Sequence, residues 1–247
     1  MATDQLKAIL ESIHNAALRA GRRPEDVTLV AATKTVPLER ILPFLQAGIK
    51  NVGENRVQEA LSKYASNCFS PSSPPVAGGG PIDPLPEAAG DDVIGVIRPT
   101  FHLIGPLQSN KAKKAVEFFD LIQTLDRWSL AEDLNRHAAA IGKVQDCLIE
   151  VKISNEPTKS GLAPEVLPEL LSQVSSLPNI RVRGLMGIPP LSAAGDAARP
   201  YFQRLRRLLE DSRLEILSMG MSSDFEAAIE EGSTMVRLGT ILFGSRQ

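Results

Sequence analysis

At 247 residues, 43% of them hydrophobic and 23% charged, the chain has the balance of a globular protein with material for one large core or two small ones. Its 27 basic residues nearly cancel its 29 acidic ones, and a formal charge of -2 excludes a sequence-independent pull toward nucleic-acid phosphates or anionic lipid. Two cysteines, Cys68 and Cys147, make no disulfide framework and point to a reducing compartment.

The N-terminal stretch MATDQLKAILESIHNAALRAGR carries helical spacing at Leu6, Ile9, Leu10, Ile13, Ala17 and Leu18. Charges interrupt it, so it lacks the apolar run of a signal peptide, and its early acids argue against a transit peptide. No segment reaches membrane-spanning length, and the expected location is the cytoplasm. Short apolar runs then alternate with amphipathic ones. Strands are predicted at 27–34, 51–55, 100–105, 121–126, 146–153, 181–187, 214–219 and 234–240. Helices are predicted at 37–47, 56–65, 110–119, 127–141, 164–177, 197–211 and 223–231. Eight strands separated by single helices imply parallel βαβ units. Closing them gives an α/β fold, a (β/α)₈ barrel with an extra N-terminal helix, and a doubly wound open sheet is the alternative.

The segment NCFSPSSPPVAGGGPIDPLPEAAGDDVIGVIRP breaks the rhythm with seven of the 18 prolines and a glycine triplet. Such composition cannot bury enough surface to order itself, so residues 67–98 are read as a mobile insertion within a single 1–247 domain. It falls between a helix and the next strand, on the barrel face opposite an active site.

Side chains at the C-terminal ends of barrel strands face the site. They are Lys34, Glu54, Asn55, His102, Gly105, Asp126, Lys152 and Met186, with the stretches SMGMSSD and VRLGT from the last two strands. Lys34 closes an apolar strand just before a helix. The plain reading is a lysine snorkelling to solvent. In a partly apolar pocket, however, desolvation disfavours the ammonium and frees the amine to condense with an aldehyde. At the other end, GMSSDFEAAIEEG contains a capping box from Ser223 to Glu226, which would start a helix at Ser222 or Ser223. Arg237, Gly239 and Thr240 follow on the last strand. Loops after strands seven and eight are the usual phosphate site of a barrel, although either motif alone is more simply a cap and a glycine turn. An amine at strand one and a phosphate cradle at strands seven and eight describe a ligand with both an aldehyde and a phosphate.

Basic runs elsewhere read blandly. NKAKK, and FQRLRRLLE with its interleaved leucines, are solvated amphipathic helix faces. No residues have zinc spacing, so no metal is expected.

The stretches LVAATKTVP, GENRVQE, FHLIGPLQSNK, LIQTLDR, SMGMSSDFEAAIEEGSTMVRLGT and FG resemble the pyridoxal phosphate homeostasis family, also called the proline synthetase co-transcribed homologue family. The likeness runs from about residue 25 to 246 apart from the insertion. Its one noted departure is Pro106, where the family commonly has histidine. It implies a barrel similar to the barrel domain of alanine racemase, the fold-type III architecture. It further implies pyridoxal 5′-phosphate carried as an imine on Lys34, with Ser222, Gly239 and Thr240 on the phosphate and Ser223 close by. Arg237 would face the pyridine nitrogen and weaken the ring as an electron sink. Asn55 would lie beside the ring, with His102 and Met186 as further neighbours. The implied role is vitamin B6 homeostasis without turnover and without a catalytic residue. The implied partners are the cofactor and its client enzymes, with neither nucleic acid nor membrane, for a monomer. Racemisation needs a second acid or base on the opposite ring face. Racemases take a tyrosine for this from an additional β domain. Here the chain ends at Gln247, and Tyr64 and Tyr201 lie on predicted helices outside the barrel. A racemase or decarboxylase using the same site is the alternative, and a barrel for another phosphorylated metabolite is a third.

Overall fold

The computed structural model describes residues 2–64, 98–154, 156 and 160–244. Eight parallel strands form a closed barrel in chain order, with the first paired to the last. They are β1 (Thr28–Ala32), β2 (Asn51–Glu54), β3 (Thr100–Leu103), β4 (Leu121–Leu125), β5 (Gln145–Glu150), β6 (Ile180–Met186), β7 (Ile216–Ser218) and β8 (Met235–Leu238). The helices are α1 (Ala2–Arg19), α2 (Leu38–Gln46), α3 (Val57–Tyr64), α4 (Ala112–Phe118), α5 (Trp128–Ala140), α6 (Leu167–Val174), α7 (Arg199–Ser212), α8 (Phe225–Glu230) and α9 (Thr240–Phe243). The β1–β8 ladder, with Leu29 beside Val236 and Ala31 beside Leu238, excludes the open sheet.

Strands covered on both faces must be apolar throughout, which is why β4 is buried at all five positions. The outer faces pack on the helices through residues such as Ile41, Phe101, Phe118 and Phe202. The additional helix α1 buries Leu6, Ile9, Ile13, Ala16 and Ala17. It is pinned at its end by Arg19, which donates to Glu230 at 2.6 Å and Glu226 at 2.7 Å. Inside the barrel lies a small apolar cluster of Val30, Leu121, Leu148, Met186 and Met235. Gly184 is required where β6 meets β7, since a Cβ there would come within 1.9 Å of the Ile216 carbonyl.

Every predicted strand and helix is present, mostly shortened. Strand β1 stops at Ala32 rather than at Lys34, because Thr33 to Val36 form a turn closed by the Val36 N–H donating to the Thr33 carbonyl at 3.0 Å. Thr240 opens α9 instead of ending β8. The expected insertion lies outside the described residues except for Arg98. That residue belongs to the core: it is buried and pairs with Asp120 at 3.0 Å. Among the described residues, no helix is long and apolar enough to cross a membrane.

Candidate functional site

At the C-terminal mouth of the barrel, a cavity of about 750 Å³ opens between the ends of β1, β7 and β8. Lys34, Ser222, Ser223, Arg237, Gly239 and Thr240 all line it, together with Arg40 and Met221. The predicted lysine and the predicted phosphate residues, some two hundred positions apart in sequence, therefore share one chamber. Its size suits a small organic ligand.

Lys34 is half-buried and stands at the first corner of the Thr33–Val36 turn. Thr35, at the second corner, has φ 62°, the left-handed value that such a turn asks of its third residue. The turn takes the chain off the ladder and leaves the lysine on the cavity wall.

The phosphate end differs from its sequence reading. Helix α8 begins at Phe225, and Asp224 is its N-cap. The capping box does not form, because the Asp224 carboxylate reaches back to accept the Met221 N–H at 2.6 Å. Asp224 is buried in doing so, and burial raises its pKa against the lowering by that amide. This leaves Ser222 and Ser223 in the turn facing the cavity. The Ser222 hydroxyl oxygen accepts the N–H groups of both Gly239 and Ile241, each at 3.3 Å. Two backbone amides thus converge on one oxygen at the long end of hydrogen-bond range. Gly239 has no Cβ, and one placed there would press on the Ala32 carbonyl at 3.2 Å.

Arg237 is buried beneath this cradle. Its guanidinium donates to the Ser218 hydroxyl at 2.6 Å and the Gly187 carbonyl at 3.2 Å. Burial pulls its pKa down to about 10, opposed by the carboxylates of Glu150 and Asp224, so at neutral pH it is a fixed cation. Its anchor continues inward. Ser218 donates to Gln123 at 2.6 Å, and the Gln123 amide contacts His102 Nδ1 at 3.0 Å. His102 Nε2 in turn meets the Asn51 side-chain oxygen at 3.2 Å. Since Gln123 donates, His102 accepts at Nδ1 and donates from Nε2. The thread crosses the barrel interior from β8 to β2.

All three predicted ring neighbours lie off the cavity wall. Met186 packs in the apolar cluster inside the barrel, and Asn55 is half-buried just beyond β2. His102 is inside the barrel, below the mouth, within the thread just described. Glu54 also turns away: it is fully buried against Thr33, Lys63 and Tyr64. Lys152 lines a separate cavity of about 220 Å³ beside Glu150. Met221 belongs to the SMGMSSD stretch already picked out, whereas sequence reading missed Arg40. Arg40 sits on α2 with ordinary helical surroundings in the sequence, and only its bond to the Phe243 carbonyl brings it to the rim.

Comparison with known proteins gives the chain its relatives. The family described as alanine racemase, N-terminal domain, matches residues 5–247. A pyridoxal phosphate homeostasis protein of Aquifex aeolicus is 42% identical over 252 residues, covering 100% of this chain and 99% of that protein. One from Pseudomonas aeruginosa is 39% identical, covering 98% and 95%. Among solved structures, PipY of Synechococcus elongatus PCC7942 with PLP bound is 35% identical at a TM-score of 0.77, covering 99% of this chain and 100% of that one. An alanine racemase of Clostridium difficile shares the fold at 14% identity and a TM-score of 0.67, with this chain spanning 57% of its length. On sequence and architecture together, the chain belongs to the pyridoxal phosphate homeostasis protein family, within the alanine racemase N-terminal domain fold.

Proposed function

We propose that this protein binds pyridoxal 5′-phosphate in the Lys34 cavity and holds it covalently through that lysine as an intracellular carrier of the cofactor. The observation that carries this reading is the shared chamber: a half-buried amine at the end of β1, opposite two converging amides and a serine hydroxyl at β7 and β8. When bound, the cofactor supplies an aldehyde carbon able to condense with an amine. The residues present fit such a group. The amides of Gly239 and Ile241 already point at a single oxygen, and a phosphate oxygen would be a stronger acceptor than a hydroxyl. Ser222, Ser223 and Thr240 would add hydroxyl donors around it. Arg237 would present a cation at the cavity floor and hold a facing pyridine nitrogen unprotonated, its own proton secured by the Ser218 and Gly187 acceptors. Asn55 and Met186 would act from beside and beneath the ring rather than on the cavity wall.

The role that fits is homeostatic: retention of the cofactor and its release to client enzymes, by a monomer in the cytoplasm that engages neither nucleic acid nor membrane. Residues 67–97 would be an insertion in a single barrel domain. The test is borohydride reduction of the loaded protein followed by peptide mapping. A pyridoxyl group on the Lys34 peptide, lost in Lys34→Ala, supports the reading. An adduct on Lys152 or on a lysine of α1 would refute it.

A further inference from the structure

The turn that bears Lys34 is gripped from below by side chains of β2 and α3. Thr33, fully buried, donates its hydroxyl to Glu54 Oε1 at 2.7 Å and accepts from the Tyr64 hydroxyl at 3.0 Å. Its carbonyl accepts from Lys63 Nζ at 2.8 Å. On the far side of Lys34, the Thr35 N–H donates to Glu59 Oε1 at 2.5 Å. Lys63 joins the two halves, because it also meets Glu54 Oε1 at 2.7 Å and Glu59 Oε1 at 3.2 Å. Residues 33 and 35 are thus fixed through one ammonium, with Lys34 between them.

Helix packing alone does not account for this arrangement. Glu54 is fully buried, and a buried carboxylate is retained only where partners hold it. Thr35 is β-branched and sits at φ 62°, a conformation that such residues rarely adopt without external constraint. Among the described residues, Arg213 is the only other non-glycine with positive φ. The Glu59 carboxylate supplies the constraint at Thr35, and it comes from one turn before Lys63 on the same face of α3.

We propose that Lys63 and Glu59, seated on Glu54, are positioning residues for Lys34. They hold the Thr33–Val36 turn so that the lysine amine points into the cavity ready to capture an aldehyde. The proposal rests on the reading of Lys34 as the cofactor-bearing residue. It adds the claim that the reach of the amine is set from outside the barrel wall, by groups that touch neither cofactor nor cavity.

The test uses full-length protein stripped of cofactor with hydroxylamine and reloaded with pyridoxal 5′-phosphate. Covalent capture is followed by the visible absorption band and by borohydride trapping, and competition by inorganic phosphate reads the cradle separately. Glu59 is partly exposed, so Glu59→Ala should fold. Losing its charge-assisted bond should slow capture by about tenfold or more with the phosphate competition unchanged. Glu59→Gln, which keeps an accepting oxygen for Thr35, should capture within about threefold of wild type, a rescue that a merely structural role would not predict. Lys63→Met should slow capture as well. Hydrogen exchange of the Thr35 amide in the cofactor-free protein should quicken in Glu59→Ala and not in Glu59→Gln. Normal trapping on Lys34 in wild type with unslowed capture in Glu59→Ala would overturn the clamp alone. No adduct on Lys34 in wild type would overturn both the clamp's role and the reading beneath it.

Discussion

Ser222 and Arg237, both on the cavity wall, would divide the ligand-facing work at the level of single residues. Ser222 keeps two amides converged on one oxygen, and Arg237 puts a permanent cation under the cavity. An anion at the cradle gains charge-assisted hydrogen bonds, each contributing about 1.5–3 kcal/mol, whereas the pyridine ring gains mainly contact area. Pyridoxal lacking its phosphate should therefore bind at least ~100-fold more weakly than pyridoxal 5′-phosphate, as two such bonds imply. Equilibrium titration of the two aldehydes against the absorption band checks this, and comparable affinities would place the phosphate elsewhere. Lys34, Ser222, Arg237, Gly239 and Thr240 could be picked out from the sequence because strand ends and the last two loops have fixed positions in a barrel. The local geometry of Asp224 could not. An S-x-x-E pattern reads as a capping box whichever way the intervening aspartate turns, and here it turns toward Met221.

Among the elements, β3 and β4 show where periodicity stops being informative. The alternation of apolar and amphipathic runs sufficed to place all eight strands, because a doubly covered strand is a continuous apolar run bounded by turns. It could not place His102, since the inside and outside of a closed barrel are both buried. Position near a strand end suggested the mouth, yet His102 Nδ1 accepts from Gln123 inside the barrel. Helix α9 escaped for a related reason: TILF is β-prone, and one helical turn has no period to detect. Burial pushes the His102 pKa down to about 3 from an ordinary 6.5. Below pH 6.5 the unfolded chain binds a proton that the folded one refuses, so this histidine's contribution to stability falls as pH drops, until about pH 3. The carboxyls raised by burial, Glu54, Glu150 and Asp224, act in the opposite sense. Comparison with a His102→Gln variant removes their effect. Wild type should lose about 1.4 kcal/mol more than the variant for each pH unit across that window, measured by urea unfolding. Parallel curves would show that His102 is accessible to protons in the folded barrel.

For the whole molecule, the question is whether one barrel mouth can both present a lysine amine to its cavity and avoid turning over amino acids. Racemisation requires acid–base groups on both faces of the ring, as a proton leaves one side and returns on the other. Neither tyrosine among the described residues is placed for that. Tyr64 is fully buried on the outer side of the barrel wall, with its hydroxyl on Thr33 and Glu54, and burial raises its pKa far above the usual phenol. Tyr201 belongs to α7, packed against the outer core. Glu150 is the more serious candidate. It ends β5, across the barrel from β1, where it lines the separate cavity of Lys152 rather than the Lys34 cavity, and its carboxyl accepts from Ser160 at 2.9 Å. Its second oxygen has no partner among the described residues. Burial raises its pKa, partly offset by Ser160, with Asp126 adding to the rise and Arg237 opposing it. Its burial therefore favours the protonated carboxyl over the carboxylate. Arg237 would work against the chemistry that uses it, because a ring facing a fixed cation is a poor sink for the electrons of a carbanion. We therefore expect the loaded protein to exchange its bound aldehyde with L-alanine, L-lysine or L-ornithine while leaving their α-protons in place. Incubation in deuterated water with mass and chiral analysis measures this. Inverted, α-deuterated amino acid over many turnovers would establish an enzyme, and its loss in Glu150→Gln would identify the second base.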